Sequence, residues 1–161
     1  MELKVFCAGG TIDKIYYDAL SDYQIGDPQV AAIMQESNVQ FEYAIESVLK
    51  KDSLEMNDED RQAILDQVRA EPCRNILITH GTDTMVKTAQ VLEQVTDKTI
   101  VLVGSMQPAR FKDSDATFNI GFAVAAARLL PVGVYIAMNG NVLPANEATK
   151  NRAAGVFELQ G

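Results

Sequence analysis

The segment from Leu3 to Asp13 reads LKVFCAGGTID, and it decides the fold. Its first part, Leu3 to Ala8, is a nearly continuous apolar run, which is typical of a strand buried on both faces of a parallel sheet. The pair Gly9-Gly10 stops this strand, and Thr11 opens the next turn. A second segment, Asn75 to Thr84, repeats the order of apolar strand, glycine and threonine as NILITHGTDT. The two segments predict strands whose Gly-Thr turns lie at the same edge of the sheet.

Outward from these segments, short apolar runs alternate with amphipathic stretches. Further strands are predicted at 39–48, 99–103 and 132–138, with a last edge strand at 154–159, and helices at 27–36, 57–70, 82–95 and 118–130. Apolar strands separated by helices predict the α/β class, with a mostly parallel, flavodoxin- or Rossmann-like sheet. If the strand order is the flavodoxin-like 2-1-3-4-5, the ligand-binding crevice lies between the first and third strands. Right-handed crossovers would cover both faces of the sheet and give a three-layer sandwich.

Composition indicates a globular chain and limits its partners. The 161 residues fit one domain spanning 1–161, and 47% hydrophobic with 22% charged residues is an ordinary balance. The formal net charge of −8 argues against nucleic acid, whose phosphates need clustered Lys and Arg, and against an anionic membrane surface. The first residues show no basic region followed by a long apolar run, so we expect a soluble cytoplasmic protein.

Metal and disulfide chemistry find little support in the sequence. Cys7 and Cys73 are too few for a disulfide framework, and together with the single histidine, His80, they lack the paired spacing of a zinc site. Neither a phosphate-binding P-loop nor the dinucleotide-binding glycine pattern follows the first strand. We therefore expect no metal and no cofactor.

Five loops of the sequence resemble, in the same order, those of the bacterial-type L-asparaginase family. They are Gly9–Ile12, Ser53–Asp58, His80–Met85, Val103–Pro108 and Ala148–Lys150. The resemblance covers nearly the whole chain, but only the amino-terminal domain of the usual two-domain family member. Residues 9–16 resemble a short-chain branch of the family that has one domain only.

The resemblance implies a catalytic set for attack on a side-chain amide. Thr11 corresponds to the nucleophile, and Tyr16 to the group that accepts and returns its hydroxyl proton. A threonine hydroxyl is a weak nucleophile that needs such a base, and a tyrosine needs nearby positive charge to act as one. Thr82, Asp83 and Lys150 resemble the family's second polar cluster, which supplies that charge and a second hydroxyl. Which of the two threonines forms the covalent bond stays open at this point.

The same resemblance implies residues that bind the substrate. Ser53 corresponds to the residue that binds the α-carboxylate, and Asp83 would contact the α-amino group. Leu54 stands where an amide side chain is common in the family, and Ser105 stands where a backbone carbonyl lies beside the leaving amide. These positions describe an amino acid held by both of its charged ends.

Two glycines and one backbone N–H complete the expected site. Glycine permits tight turns and a close approach of the backbone to a ligand, so Gly10 and Gly81 are expected to contact the substrate. The Thr82 N–H is expected to lie at the start of a helix and to stabilise the oxyanion.

Some of these residues also have purely structural interpretations. A threonine after a strand can simply cap the next helix, as Thr82 could. Tyr17 and Tyr23 compete for the role of the tyrosine base, and the single histidine is expected to orient its loop. Asp13 and Lys14 are expected to form a surface ion pair, which contributes about 0–1 kcal/mol.

The expected function is hydrolysis of L-asparagine to L-aspartate and ammonia. Because one methylene in a pocket discriminates by only about 1–3 kcal/mol, glutamine or another small ω-amide is an alternative substrate. A non-catalytic module that binds asparagine or aspartate is a third alternative. The single domain and Leu54 predict weaker recognition of the α-amino group than in two-domain enzymes. Self-association as a dimer or tetramer is expected, since the family's sites are usually completed by neighbours.

Overall fold

Ten β-strands and four α-helices follow one another in the computed structural model, which describes residues 1–161. The strands are β1 (Leu3–Gly9), β2 (Lys14–Tyr17), β3 (Asp22–Ile25), β4 (Tyr43–Lys51), β5 (Asn75–Thr79), β6 (Thr99–Val103), β7 (Gly133–Met138), β8 (Asn141–Pro144), β9 (Ala148–Asn151) and β10 (Val156–Leu159). The helices are α1 (Val30–Glu36), α2 (Asp58–Ala70), α3 (Met85–Leu92) and α4 (Ala116–Leu129). None of these helices is both long enough and apolar enough to cross a bilayer.

Six strands form the central sheet, in the order β4-β1-β5-β6-β7-β8. The first five are parallel and have the flavodoxin-like order 2-1-3-4-5, and the predicted α/β class and mostly parallel sheet are confirmed. Strand β8 adds an antiparallel edge that the sequence pattern did not predict. Within the sheet, Thr79 at the end of β5 pairs with Cys7 of β1 and Val103 of β6. The carboxyl ends of these three strands therefore meet at one edge.

The helices cover both faces of the sheet in pairs, α1 with α4 and α2 with α3. Both α3 and α4 pack on β6 and β7 without packing on each other, which places them on opposite faces. The chain steps in the same direction across the sheet from β5 to β6 and from β6 to β7. Two steps in one direction through opposite faces have opposite hands. The step from β1 to β4 runs in the opposite direction through the α1 face, so it has the same hand as the α3 crossover, as does the step from β4 to β5 through the α2 face. The α4 crossover is therefore the left-handed exception, and the expectation that every crossover is right-handed was wrong.

The long loop before α4 explains this unusual hand. Residues 104–115 join β6 to α4, and the Ala109 N–H donates to the carbonyl of Ile12 at 3.1 Å. The loop thus runs past β5 to the turn that follows β1 before its helix begins. A connection that first travels along the sheet edge is released from the twist constraint that makes direct crossovers right-handed. The same detour places the loop beside both Gly-Thr turns.

Two antiparallel hairpins lie outside the central sheet. Strands β2 and β3 pair Tyr16 with Tyr23, in a segment for which the sequence pattern predicted no strand. Strands β9 and β10 pair Lys150 with Phe157. The strand predicted at 154–159 therefore exists, but it does not join the main sheet, because β8 already occupies that edge.

Candidate active site

The Gly-Thr turns after β1 and β5 are in direct backbone contact. A Cβ atom added to Gly10 would lie 2.4 Å from the nitrogen of Gly81 and 2.5 Å from its Cα. Gly10 also has φ of 92°, a conformation that L side chains rarely adopt. Only glycine fits at this position, and Thr11 and Thr82 each follow directly from the contact. The structure thus brings the two predicted threonine turns to one place.

A polar cluster built on β9 lies at the second turn. The Lys150 ammonium donates to Thr82 Oγ1 and to Asp83 Oδ1, both at 2.8 Å. Arg152 lies 3.7 Å from the same carboxylate oxygen. The hydrogen bond from Lys150, supported by the charges of Lys150, Arg152 and Lys14, holds the pKa of Asp83 below its ordinary value. The cluster therefore presents an ionised carboxylate, an ammonium and a hydroxyl side by side.

Three consecutive backbone N–H groups lie in the turn beside this cluster. The N–H groups of Gly81, Thr82 and Asp83 donate no hydrogen bond within the chain, whereas the next one, of Thr84, donates to Ser53 Oγ at 3.2 Å. Successive free backbone donors in a turn form a concave site for an anion or a developing oxyanion. The donors lie in the turn and not at a helix start, because α3 begins only at Met85. Thr82 therefore does not cap that helix, as one structural interpretation expected.

Thr11 begins a short 3-10 turn that runs to Asp13. Its side chain is half-buried, and its carbonyl accepts a hydrogen bond from the Lys14 N–H. The turn is held at its start by the Gly10 N–H, which donates to the carbonyl of Lys51 at 3.0 Å. Thr11 is thus fixed to the ends of two strands, β1 and β4.

Tyr16 lies on the β2–β3 hairpin, away from the hydrogen bonds of the Lys150 cluster. Its side chain is 53% exposed, and its ring packs against Tyr23 with centroids 5.3 Å apart. Tyr23 in turn packs edge-on against Phe111, which belongs to the loop before α4. These rings link the hairpin to the loop that borders the site. No hydrogen bond joins the Tyr16 hydroxyl to Thr11.

Asp13 is buried and ties down both ends of that hairpin. It is 2% exposed, its Oδ1 accepts from the Gln29 N–H at 2.8 Å, and its carbonyl accepts from the Gly26 N–H at 2.8 Å. Burial raises the pKa of Asp13 from 3.8 to about 7. The predicted surface pair with Lys14 is wrong, because Lys14 pairs instead with Asp52 at 3.3 Å. Burial of a carboxylate without an ionic partner could not be read from a polar turn sequence.

The other predicted substrate-binding residues surround the second turn. Ser53 is buried against Gly81, and its hydroxyl proton remains available after it accepts from Thr84. Leu54, one residue on, is 62% exposed. Ser105 is buried, and its hydroxyl donates to the carbonyl of Gln107. Ser53 and Ser105 therefore lie in packed loops, while the Leu54 side chain faces solvent.

A buried arginine that the sequence analysis missed holds these loops together. Arg61 is 5% exposed and donates to Thr84 Oγ1 at 2.9 Å and to Thr88 Oγ1 at 3.2 Å. Thr84 links Arg61 to the Ser53 loop, because its hydroxyl donates to the Ser53 carbonyl at 2.7 Å. The sequence spacing could have indicated the burial of Arg61, because it lies three residues before Ile64 and therefore falls on the buried face of α2.

His80 supports the second turn without carrying charge. Its Nδ1 lies 2.7 Å from the Gly81 carbonyl oxygen, and its Nε2 lies 2.7 Å from Thr88 Oγ1. Complete burial lowers the pKa of His80 to about 4, so the ring is neutral near pH 7. This arrangement agrees with the expectation that the histidine orients its loop.

Comparison with known proteins settles the family. A family model described as "Asparaginase, N-terminal" matches residues 2–160. The chain belongs to the asparaginase family. The predicted resemblance is thereby confirmed, and the five loops that suggested it are the loops that surround the site.

Relatives within the asparaginase family have names that refer to two amides. The chain is 33% identical to "Probable L-asparaginase periplasmic" of Haemophilus influenzae, over 96% of this chain and 47% of that protein. It is 36% identical to "Glutaminase-asparaginase" of Acinetobacter glutaminasificans, over 76% of this chain and 38% of that protein. The chain thus spans about half or less of the length of these two relatives.

Solved asparaginase structures share the fold over nearly the whole chain. The thermostable L-asparaginase from Thermococcus kodakarensis superposes with a TM-score of 0.84 at 26% identity, covering 99% of this chain and 51% of that one. A probable cytoplasmic L-asparaginase from Campylobacter jejuni gives a TM-score of 0.79 at 29% identity, covering 98% and 51%. Because the names of these relatives place one in the periplasm and another in the cytoplasm, the cytoplasmic location of this chain stays a prediction.

Proposed function

We propose that residues 1–161 act as one catalytic domain that hydrolyses L-asparagine to L-aspartate and ammonia. The observation that carries the proposal is the Lys150 cluster, in which an ammonium contacts both a threonine hydroxyl and an ionised carboxylate. This cluster lies on the backbone contact between the two Gly-Thr turns. A threonine hydroxyl, a carboxylate and an ammonium in contact, beside the turn that carries Thr11, suit attack on an amide of an amino acid.

The reaction runs through an ester on the enzyme. The Thr11 oxygen attacks the side-chain amide carbon, and its hydroxyl proton passes to Tyr16 and then to the leaving nitrogen. The carbon–nitrogen bond breaks and ammonia departs. Water then adds to the ester carbon and the carbon–oxygen bond to Thr11 breaks. Aspartate leaves while a proton of that water passes through Tyr16 to the Thr11 oxygen. No metal or cofactor enters these steps.

The second threonine and its lysine prepare the electrostatics of the site. Because the Lys150 ammonium donates to Thr82 Oγ1, the Thr82 hydroxyl must direct its own hydrogen elsewhere, toward the bound amide. The ammonium also lowers the cost of negative charge on either threonine oxygen in this partly buried place. Lys150 and Thr82 thus act as a pair that orients and stabilises the reacting groups.

The substrate is held at its charged ends and at its carbonyl. The free N–H groups of Gly81–Asp83 suit the oxyanion or the α-carboxylate, and the ionised Asp83 suits the α-amino group. The Ser53 hydroxyl supplies a further donor to the carboxylate. Leu54 offers no polar atom to the amine, which agrees with the expectation of weak amine recognition.

An ammonia-release assay with asparagine tests the proposal. Thr11→Ala is expected to lower kcat by about 10³-fold or more, because no other group replaces the nucleophile. Thr117→Ala, an exposed threonine on α4, is the matched control and should keep full activity. Circular dichroism checks that both variants fold. Full activity of a folded Thr11→Ala variant would show that this threonine is not the nucleophile.

Two binding measurements separate an enzyme from a binding module. Lys150→Met should reduce turnover far more than it weakens the affinity for asparagine, measured by calorimetry. A wild-type protein that binds asparagine tightly but releases no ammonia at any pH would favour the non-catalytic module.

Glutamine is the second candidate substrate. The relative named "Glutaminase-asparaginase" is 36% identical to this chain. One methylene changes binding by about 1–3 kcal/mol, or roughly 10–200-fold in kcat/KM. The ratio of kcat/KM for the two amides, measured in parallel, decides between them.

A further inference from the structure

Asp115 directly precedes helix α4, at the position where an aspartate usually caps a helix, but its side chain does not cap this one. The Ala116 N–H, at the start of the helix, donates instead to Ser114 Oγ at 3.0 Å. The Asp115 carboxylate turns to the loop of residues 104–115, which joins β6 to α4. A residue suited to cap its own helix thus serves the loop before it.

Four donors converge on the Asp115 carboxylate. Two are the successive backbone N–H groups of Met106 and Gln107, at 3.0 and 3.1 Å. The other two are the side-chain amides of Asn119 and Asn139, at 3.0 and 2.9 Å. Burial opposes ionisation, but the hydrogen bonds from the loop and from Asn139 lower the pKa of Asp115. All four donors need acceptors on both side-chain oxygens, which a carboxylate provides and a side-chain amide does not.

The hydrogen bond from Met106 fixes the direction of one carbonyl oxygen. The peptide bond between Ser105 and Met106 is trans, so the Ser105 carbonyl points opposite to the N–H that Asp115 holds. That carbonyl accepts no hydrogen bond within the chain, although Ser105 is only 1% exposed. An unpaired carbonyl on so buried a residue marks a position where a bound ligand can donate a hydrogen bond.

The loop that carries this carbonyl runs between the two Gly-Thr turns. Its first residue, Gly104, packs on the second turn, since an added Cβ would lie 2.4 Å from the His80 carbonyl oxygen and 3.4 Å from Thr82 Cγ2. Further on, the Ala109 N–H donates to the Ile12 carbonyl in the first turn. The Ser105 carbonyl therefore lies one residue from a direct contact with the Thr82 side chain.

The two faces of the sheet give the direction of the Ser105 carbonyl. Asp115 lies at the start of α4, on one face, whereas β9, which carries Lys150, packs on α3 at the opposite face. A carbonyl directed away from Asp115 is thus directed away from α4 and towards the side on which Lys150 lies.

We propose that Asp115 is a positioning residue for the departure of ammonia: it holds the Ser105 carbonyl where that oxygen accepts a hydrogen bond from the leaving amide nitrogen. This role rests on the proposed function. When Thr11 attacks, the nitrogen becomes tetrahedral, and its lone pair must face the proton that Tyr16 delivers. An N–H held by a fixed acceptor turns the lone pair in one direction, and the hydrogen bond strengthens as the nitrogen gains its proton. Asp115 acts through the loop and does not touch the substrate.

The leaving group distinguishes this role from a merely structural one. L-Aspartate β-methyl ester has the same acyl group as asparagine, but its leaving oxygen carries no N–H for the Ser105 carbonyl to accept. In Asp115→Asn, the new NH₂ group faces donors, so the peptide group between Ser105 and Met106 loses its fixed direction. The value of kcat/KM reports the steps up to departure of the leaving group. It should fall about 10–100-fold for asparagine and stay within about threefold of wild type for the ester.

Two further variants make this comparison decisive. Asp113→Asn removes an exposed carboxylate from the same loop, and as the matched control it should leave both values of kcat/KM unchanged. Asn139→Gly removes one donor to Asp115 and keeps a residue that tolerates the φ of 50° at this position. It should lower kcat/KM for asparagine about threefold or more without slowing the ester. If circular dichroism shows that Asp115→Asn does not fold, Asn139→Gly decides alone.

The possible results separate the role of Asp115 from the proposed function. Equal losses for amide and ester in a folded variant, or no loss for the amide, would overturn the role of Asp115 and leave the proposed function intact. A wild type that releases no ammonia from asparagine would refute the proposed function, and the role of Asp115 with it.

Discussion

The buried Asp13 carboxyl makes the stability of this protein depend on pH in a way that one substitution removes. In Asp13→Asn, the side-chain oxygen can still accept the hydrogen bond from the Gln29 N–H, which is 2.8 Å long in the wild type. The amide, however, cannot ionise. The substitution therefore isolates the cost of charging Asp13 inside the fold.

The size and sign of that cost follow from the raised pKa of Asp13. Burial raises it from 3.8 to about 7, with a smaller opposite effect of the Lys50 charge. Between these values the folded chain binds more protons than the unfolded chain, so stability falls as pH rises through this window and is constant above it. Three pKa units correspond to about 4 kcal/mol at most. Asp13→Asn should thus be more stable than wild type by up to about 4 kcal/mol near pH 8.

Urea unfolding of both proteins, from about pH 4.5 to about pH 8, measures this difference in the free energy of unfolding. The gap should widen by about 3 kcal/mol across the range and then level off. Asp113→Asn, at an exposed position, is the control and should show no such gap. A constant difference between Asp13→Asn and wild type at every pH would refute the argument from burial.

Three further substitutions test the loops around the site. Gly10→Ala should lower the free energy of unfolding by about 3 kcal/mol or more, because its Cβ would lie 2.4 Å from the Gly81 nitrogen at φ of 92°. A melting temperature within about 2 °C of wild type would contradict this. Arg61→Leu should lower the free energy of unfolding by about 2 kcal/mol and also lower kcat, because Thr84 and Thr88 each lose a hydrogen-bond donor. Urea unfolding measures the first effect and an activity assay the second. Asp115→Ala should cost about 2–3 kcal/mol near pH 7, because its carboxylate accepts from the Met106 and Gln107 N–H groups. Burial of Asp115 opposes ionisation, but these hydrogen bonds and one from Asn139 lower its pKa. The difference in stability between wild type and Asp115→Ala should therefore shrink as pH falls below about 4. A variant as stable as wild type both in acid and at neutral pH would refute this prediction.

The family, the α/β class and five of the six strands of the central sheet could be predicted from the sequence. Strands β5 and β6 have the predicted bounds, and α2 begins after Asn57 as its acidic first turn indicated. These elements are decided by local pattern, since an apolar run or a 3.6-residue period dictates which side chains must leave water. The short Gly-Thr motifs could also be recognised, because a position that needs a positive φ or leaves no room for a Cβ accepts only glycine.

Only the tertiary structure decided what lies around those motifs. The left-handed crossover through α4 depends on a loop that reaches Ile12, the exposed position of Tyr16 depends on a hairpin, and the burial of Asp13 depends on α1 packing over it. Each involves groups far apart along the chain whose contact is set by the summed packing of whole elements. A polar residue has the same local pattern whether it ends in solvent or under a helix, and the dielectric it meets, which controls its charge, is fixed only when the fold closes around it.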